Sequence, residues 1–573
     1  MQQEVCWVQR SLPLVHPVTS FLRRSWRWEP LRLVSDLDYH ARGSKMHDSH
    51  CTRRTFLAGA GTAFVNIGAG KEPVRRISTG LVKGRATAEP RVSAWLGIPF
   101  AAPPVGILRW RPPQPPQPWT GVRDATHFGA SPCAPSMPGL SLDYSPDRMS
   151  EDCLTLNVWA PPNDGRLRPV MVWIFGGAFV MGSSANPRYD GARMAAEGVV
   201  FVSINYRVGI LGSYVHPELS QESPAGVSGN YGLMDQIAAL RWIKENIAVF
   251  GGDPDNVTIF GQSAGAFSVG FHLVMPQSRG LFHKGIAQSG APLGRPSSNI
   301  LLGRQAEMSK SGVDFARRMG AGSIAEMRRT DAMKLVKTYG FNWLFYPNID
   351  GWLIPDHPYD MMATGRCANV PVIAGHNHDE GRIFPPLGNG SMTGLRTALS
   401  ENYGTLASDM LRILEEQNVG NPAAMGQEAF GDIVFNWNSV ALFTAMARVS
   451  RSYAYRFDYA HASSQPDSFV SGEGLGAYHG AEIDFALRTC RFKMPERRAE
   501  QEYLMRNLSG YWLNFARMST PNGPGLPYWP AYQPGSGKVF RFGEGEPVLD
   551  DIAFRDRLVL LGRAMDNRIV EQS

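Results

Sequence analysis

The chain has 573 residues, 43% of them hydrophobic and 19% charged, an ordinary balance for a soluble globular enzyme with ample core. Its formal net charge is +6, but residues 1–70 carry nine Lys/Arg against five Asp/Glu, so the body is close to neutral. That removes any electrostatic case for nucleic-acid binding, and without an apolar run of about 18 residues no stable membrane span is expected.

Residues 1–45 are rich in Arg and Trp and show no clear period. Met46 follows, then Thr52-Arg53-Arg54-Thr55-Phe56-Leu57 and a modest apolar run, Ala58–Ala69. A twin arginine ahead of Phe-Leu and a short apolar run resembles a Tat export signal, which makes the Tat machinery an expected partner. The run is too short and too rich in glycine to span a bilayer. On this reading Met46 is the expected start and residues 1–45 an upstream over-extension. Cleavage falls near Ala69 or Gly70, and the destination is periplasmic or secreted. Residues 1–70 are then leader, and residues 71–573 are expected to form a single domain.

The body opens with a strand pair around Gly80–Lys83 and Val92–Trp95. Dense proline up to Pro118 predicts extended surface loop. Val170–Phe175 is a continuous apolar run, the pattern of a strand buried on both faces, and Val199–Ile204 is a second. Leu233–Phe250 has apolar residues at helical spacing and ends at Gly251-Gly252. Further strands are predicted at Asn256–Phe260, Lys284–Gln288, Val370–Ala374 and Arg451–Phe457. Helical stretches at Leu302–Met319, Met392–Gln417 and Pro422–Ser450 suit a cap beside the sheet. Strands alternating with helices predict an α/β fold with a mainly parallel central sheet and helices on both faces.

Three stretches carry chemistry. The strand Val170–Phe175 runs into Gly176-Gly177-Ala178-Phe179, a turn poor in side chains that can aim backbone N–H groups at one point. Asn256–Phe260 runs into Gly261-Gln262-Ser263-Ala264-Gly265, a G-x-S-x-G sharp turn that would lift a serine hydroxyl clear of strand and helix. Glycines flank the serine because such a turn tolerates no bulk beside it. The N–H of Ala264 and those of the Gly-Gly turn would together receive an oxyanion. Farther on, Gly375-His-Asn-His-Asp-Glu-Gly381 closes a predicted strand with two carboxylates, and Gly476-Ala-Tyr-His-Gly480 sets His479 in a glycine-flanked loop. The order Ser, acid, His is that of an α/β-hydrolase. The residues themselves leave Asp379 and Glu380 open as the acid, and His376 and His378 open beside His479. The His-x-His pair has no third or fourth ligand beside it, so no metal is expected.

Together these stretches resemble the type B carboxylesterases, the esterase family that includes the cholinesterases. The likeness covers nearly all of Ile77–Ala564. It rests on GIPFAAPPVG with LRW at Gly97–Trp110, EDCLTLN at Glu151–Asn157, WIFGGAF at Trp173–Phe179 and NYRVGILG at Asn205–Gly212. It continues through FGGDPDNVTIFGQSAGA at Phe250–Ala266, GHNHDEG at Gly375–Gly381, YHGAEIDF at Tyr478–Phe485, WLNFARMSTPN at Trp512–Asn522 and WPAY at Trp529–Tyr532. The resemblance implies an α/β-hydrolase fold with helical cap insertions and a serine carboxylesterase without cofactor, acting on a small-molecule ester. It implies Ser263 as nucleophile, His479 as base, Glu380 rather than Asp379 as acid, and Gly177, Ala178 and Ala264 as oxyanion donors. It also implies a buried ion pair between Arg109 and Glu151, and a disulfide between Cys133 and Cys153. Two departures speak against a choline ester. Gln262 stands where cholinesterases carry glutamate, and residues 134–152 hold no tryptophan to face a quaternary ammonium. Phe179, Met181, Trp343, Phe345 and Phe384 are the expected lining of an apolar substrate pocket. A lipase, a lactonase or amidase on the same triad, and an inert adhesion module are the alternatives.

Overall fold

An eleven-stranded sheet organises the computed structural model, which describes residues 73–135, 148–294, 302–340, 344–460, 474–490 and 495–572. The leader, with its Tat-like signal, lies outside the described residues, as does Trp343. In chain order the strands are β1 (Arg85–Ala86), β2 (Ser93–Pro99), β3 (Thr155–Ala160), β4 (Arg168–Ile174), β5 (Val200–Ile204) and β6 (Gly252–Gln262). They continue with β7 (Lys284–Gln288), β8 (Val372–Asn377), β9 (Ser452–Phe457), β10 (Lys538–Phe542) and β11 (Val548–Asp551). Across the sheet the order is β11-β10-β9-β8-β7-β6-β4-β5-β3-β2-β1. Every pair from β5 across to β10 is parallel, and the pairs beyond them are antiparallel. All residues of β5, β7, β8 and β9 are buried, as expected of central strands covered on both faces by helices. Among the described residues no helix is long and apolar enough to cross a membrane.

The structure departs from the sequence reading at several points. Gly80–Lys83 and the stretch around Val92–Trp95 are strands in different sheets. The first pairs with Val74–Ile77 and Val122–Asp124, while the second belongs to β2. Gly84 is the step between them, lying so close to β2 that a Cβ there would sit 2.5 Å from the Ala94 carbonyl oxygen. Strand β8 runs on through Gly375, His376 and Asn377 opposite Tyr455, Arg456 and Phe457. A Cβ at Gly375 would meet the Tyr455 oxygen at 2.2 Å, so the glycine permits close pairing where a loop was expected. Met392–Gln417 is two helices parted by a 3₁₀ turn at Gly404–Leu406. Pro422–Ser450 resolves into α-helices Pro422–Gly431 and Trp437–Met446 around a π-helical turn, Asp432–Asn436.

Helix α1 (Tyr231–Asn246) is tied to the end of β5 by a buried ion pair. Arg207 donates from Nε and Nη2 to the two oxygens of Asp235 at 2.8 Å each, and its backbone N–H donates at 3.0 Å. Asp235 is fully buried and Arg207 nearly so. Removing one partner would strand the other charge in the core, so Asp235→Ala is expected to cost about 3–5 kcal/mol. Urea unfolding followed by tryptophan fluorescence measures it. A loss below about 1 kcal/mol, the usual worth of an exposed pair, would contradict the burial argument.

Candidate active site

Strand β6 ends at Gln262, and helix α2 (Ala264–Val274) starts two residues later. Ser263 between them holds φ 58° and ψ −126°, a conformation that few non-glycine residues adopt. The turn is made tight by contact with β4. A Cβ at Gly261 would lie 2.4 Å, and one at Gly265 2.0 Å, from the Ile174 carbonyl oxygen. The Ser263 N–H donates to the Gln288 carbonyl of β7 at 2.9 Å, and its own carbonyl accepts from Phe267 N–H at 2.9 Å. The serine is therefore fixed by backbone on both sides.

The turn after β4 adjoins this elbow. A Cβ at Gly176 would sit 3.0 Å from the Ser263 Cβ. Gly177, Ala178 and Phe179 all have positive φ, and the Gly177 carbonyl accepts from the N–H groups of Val180 and Met181. Among the described residues the N–H groups of Gly177, Ala178 and Ala264 have no partner, so they are free to donate to a bound oxygen.

Glu380 and His479 meet. His479 Nδ1 lies 2.6 Å from Glu380 Oε2, and both side chains are buried. The other Glu380 oxygen accepts from Asn377 N–H at 2.7 Å. Asp379 turns the other way. Its carboxylate accepts from Ala477 N–H at 2.8 Å and pairs with Arg382 at 2.8 Å, which pins the histidine loop beside the acid loop. His376 points to the Asn377 carbonyl and His378 to Asp379, so neither meets Glu380. Among the described residues no group of His, Cys, Asp and Glu is arranged to hold a metal ion. No hydrogen bond joins His479 to Ser263. The imidazole Nε2 instead lies 3.0 Å from Gln262 Nε2, a contact with no sequence signal beyond Gln262 being next to the serine.

Other expected residues fall into distinct settings. Arg109 and Glu151 form a two-pronged pair at 2.6 Å, and Arg109 Nη1 also donates to the Met327 and Thr330 carbonyls, which makes it a brace between loops. Cys133 and Cys153 are free thiols, and the expected disulfide is absent. Burial pushes the Cys133 thiol up to about 11 and the Cys153 thiol well above its ordinary value. Phe384 packs 5.3 Å from the His479 ring. Phe345 does not join it, since it is core, set among Tyr214, Phe315 and Tyr339. Phe179 is likewise buried, packing near Phe271, whereas Met181 is half-buried beside the Gly177 turn. Phe435, missed in the sequence, stacks on the imidazole at 4.1 Å from the π-helical turn.

A second buried carboxylate, Glu482, also escaped notice, although it stands three residues after His479. Asn377 Nδ2 donates to it at 2.6 Å and Gln288 Nε2 at 3.1 Å. Burial raises its pKa above the ordinary 4.5, and the neighbouring Glu380 charge raises it further. A raised carboxyl favours the folded state in its neutral form. That contribution is complete below the unfolded value and is lost as pH rises through the folded one. Glu482→Gln has nothing to ionise there, so its Tm is expected to gain on the parent's as pH rises above the ordinary 4.5. A constant or shrinking difference would refute the linkage.

Residues 71–553 match the model of the carboxylesterase family. The chain is 36% identical over 515 residues to a fumonisin B1 esterase from Sphingopyxis macrogoltabida, covering 85% of this chain and 90% of that protein. It is 34% identical over 474 residues to the para-nitrobenzyl esterase of Bacillus subtilis (strain 168), covering 80% and 92%. A solved PNB esterase superposes with a TM-score of 0.74 at 32% identity, covering 86% of this chain and 99% of that one. An α/β-hydrolase sheet, a strained serine elbow and a buried Glu–His pair thus coincide with likeness across most of the chain's length, and the chain belongs to the carboxylesterase family.

Proposed function

We propose that this protein is an exported serine carboxylesterase that splits carboxylic esters into acid and alcohol through an acyl-Ser263 intermediate. The observation that carries the reading is the 2.6 Å bond between buried Glu380 and His479 beside the strained Ser263 turn. In the first half-reaction Ser263 Oγ bonds to the ester carbonyl carbon while its proton passes to His479 Nε2. The carbonyl oxygen becomes an oxyanion, received by the N–H groups of Gly177, Ala178 and Ala264, each well-placed donor contributing about 3 kcal/mol. The carbon–oxygen bond to the alcohol then breaks as His479 returns the proton to it. Water repeats the sequence on the acyl-serine and releases the acid. Glu380 keeps the proton on Nδ1 and offsets the transient imidazolium charge.

The aromatic wall of Phe384 and Phe435 beside His479 supports an apolar substrate portion. That the relatives named above are a fumonisin B1 esterase and a para-nitrobenzyl esterase supports sizeable organic esters over choline esters. Hydrolysis of p-nitrophenyl esters from acetate to palmitate tests the chemistry. The wild type is expected to show a burst and turnover, and Ser263→Ala to lose both, with a fall of about a million-fold. A variant that turns over like the parent would end the serine reading. A sharp rise at an oil–water interface would favour a lipase.

Export rests on Arg53-Arg54 with Phe56-Leu57 and the short run after them, which divides the chain into leader 1–70 and catalytic domain 71–573. In an oxidising compartment Cys133 and Cys153, which line one cavity, are the pair expected to join. N-terminal sequencing of the native protein should find a start near Ala69–Lys71, and non-reducing peptide mapping should find the pair linked. Residues upstream of Met46, or free thiols at both positions, would defeat the corresponding part of this reading.

A further inference from the structure

The loop that carries His479 has little stiffness of its own, since Gly476 and Gly480 at its two ends both hold positive φ. One end is pinned by Asp379, which accepts from Ala477 N–H. The other is pinned by Arg188. That guanidinium donates from Nη2 to the Gly480 carbonyl at 3.0 Å. It also straddles Asp484, from Nε to Oδ1 at 2.8 Å and from Nη2 to Oδ2 at 3.3 Å. Asp484 stands in the one-turn helix Ile483–Ala486 that follows the loop. One half-buried side chain thus holds both the carbonyl next to His479 and the helix behind it. Among the described residues the other donor to that carbonyl is Ile483 N–H, at 3.3 Å. The planar fork of an arginine suits the task, because it meets a carboxylate with two donors and leaves the second hydrogen of Nη2 for the carbonyl.

Arg188 lies 292 positions before Gly480, in a 3₁₀ turn, Pro187–Tyr189, capped by Asn186. The segment leading to it from Ala178 is itself fixed. Ser184 N–H donates to the Asn205 side chain just past β5, and Ser184 Oγ accepts from Asn157 of β3. Tyr189 packs on Trp173 of β4 at 5.2 Å. Arg188 therefore reaches the histidine loop from a braced segment that continues the turn of Gly177 and Ala178.

We propose that Arg188 is a positioning residue: it clamps the His479 loop to the segment after the oxyanion turn, so that the base and the oxyanion donors keep one spacing across the reacting carbon. The inference rests on His479 being the base, as proposed above. Arg188→Met and Arg188→Met with Asp484→Asn, both in the full chain, test it on p-nitrophenyl acetate. The single variant leaves the Asp484 carboxylate without its counter-charge and is expected to lose Tm. The double variant removes that charge and is expected to regain it. In both, kcat is expected to fall about tenfold with KM unchanged, because a misplaced base raises the barrier to reaction and not the cost of binding. Hydrogen exchange of residues 476–489, read by mass spectrometry, needs no turnover and is expected to quicken in both. If kcat recovers with Tm in the double variant, Arg188 serves the fold alone and the proposal is overturned. Parental kcat in folded Arg188→Met, or unchanged exchange over this stretch in the double variant, would overturn it too. If the parent is inert to esters yet exchange quickens in both variants, the hydrolase reading falls and the clamp stands.

Discussion

The closeness of three backbones governs the site. Strand β6 and helix α2 press against the end of β4 so tightly that no side-chain carbon fits at Gly261 or Gly265. The contact holds Ser263 in its unusual conformation and brings it against the turn after β4, where the N–H groups of Gly177 and Ala178 have no partner among the described residues. Strain at one residue of this kind costs on the order of 1–3 kcal/mol and persists only where the surroundings over-determine it. Here two parallel strands and a helix do so, and nothing in the turn depends on a flexible side chain.

The polar groups behind the serine hold one another in the same way. Asn377 donates its backbone N–H to Glu380 and its side-chain amide to Glu482, so one residue at the end of β8 serves two buried carboxyl groups. Gln288 continues the chain, donating to Glu482 and accepting from Trp512 Nε1 at 3.0 Å. Two buried carboxylates this near cannot both ionise cheaply, and burial together with the Glu380 charge raises the pKa of Glu482.

Much of this is legible in the sequence, and the rest is hidden for identifiable reasons. Ser263 and the Asp379–Glu380 pair stand out beside glycines after predicted strands, and His479 stands out in a glycine-flanked loop. The choice between Asp379 and Glu380 is not legible, since adjacent residues on a turn point apart and only the returning histidine loop decides which is met. Among the strands, the apolar runs of β4 and β5 announce themselves, but β3 does not. Its Asn157 breaks the apolar pattern, whereas in the fold its oxygen accepts from Gly97 N–H and its amide donates to Ser184 and Ser203. Phe435 is hidden for another reason. A π-helical turn widens the helix and redirects its side chains, and no residue type signals that in advance.

That turn has a consequence in time. Asp432, its first residue, is fully buried and pairs at 2.7 Å with Arg557, which lies 125 positions later in the C-terminal helix Arg555–Gln572. Arg557 is itself buried and also engages Gln417 and Glu428. A buried carboxylate without its counter-charge is costly, so a chain still being synthesised cannot hold this turn as the finished protein does. The aromatic face against the imidazole is therefore tied to the end of the chain, since the turn that carries Phe435 has its counter-charge only when Arg557 is in place.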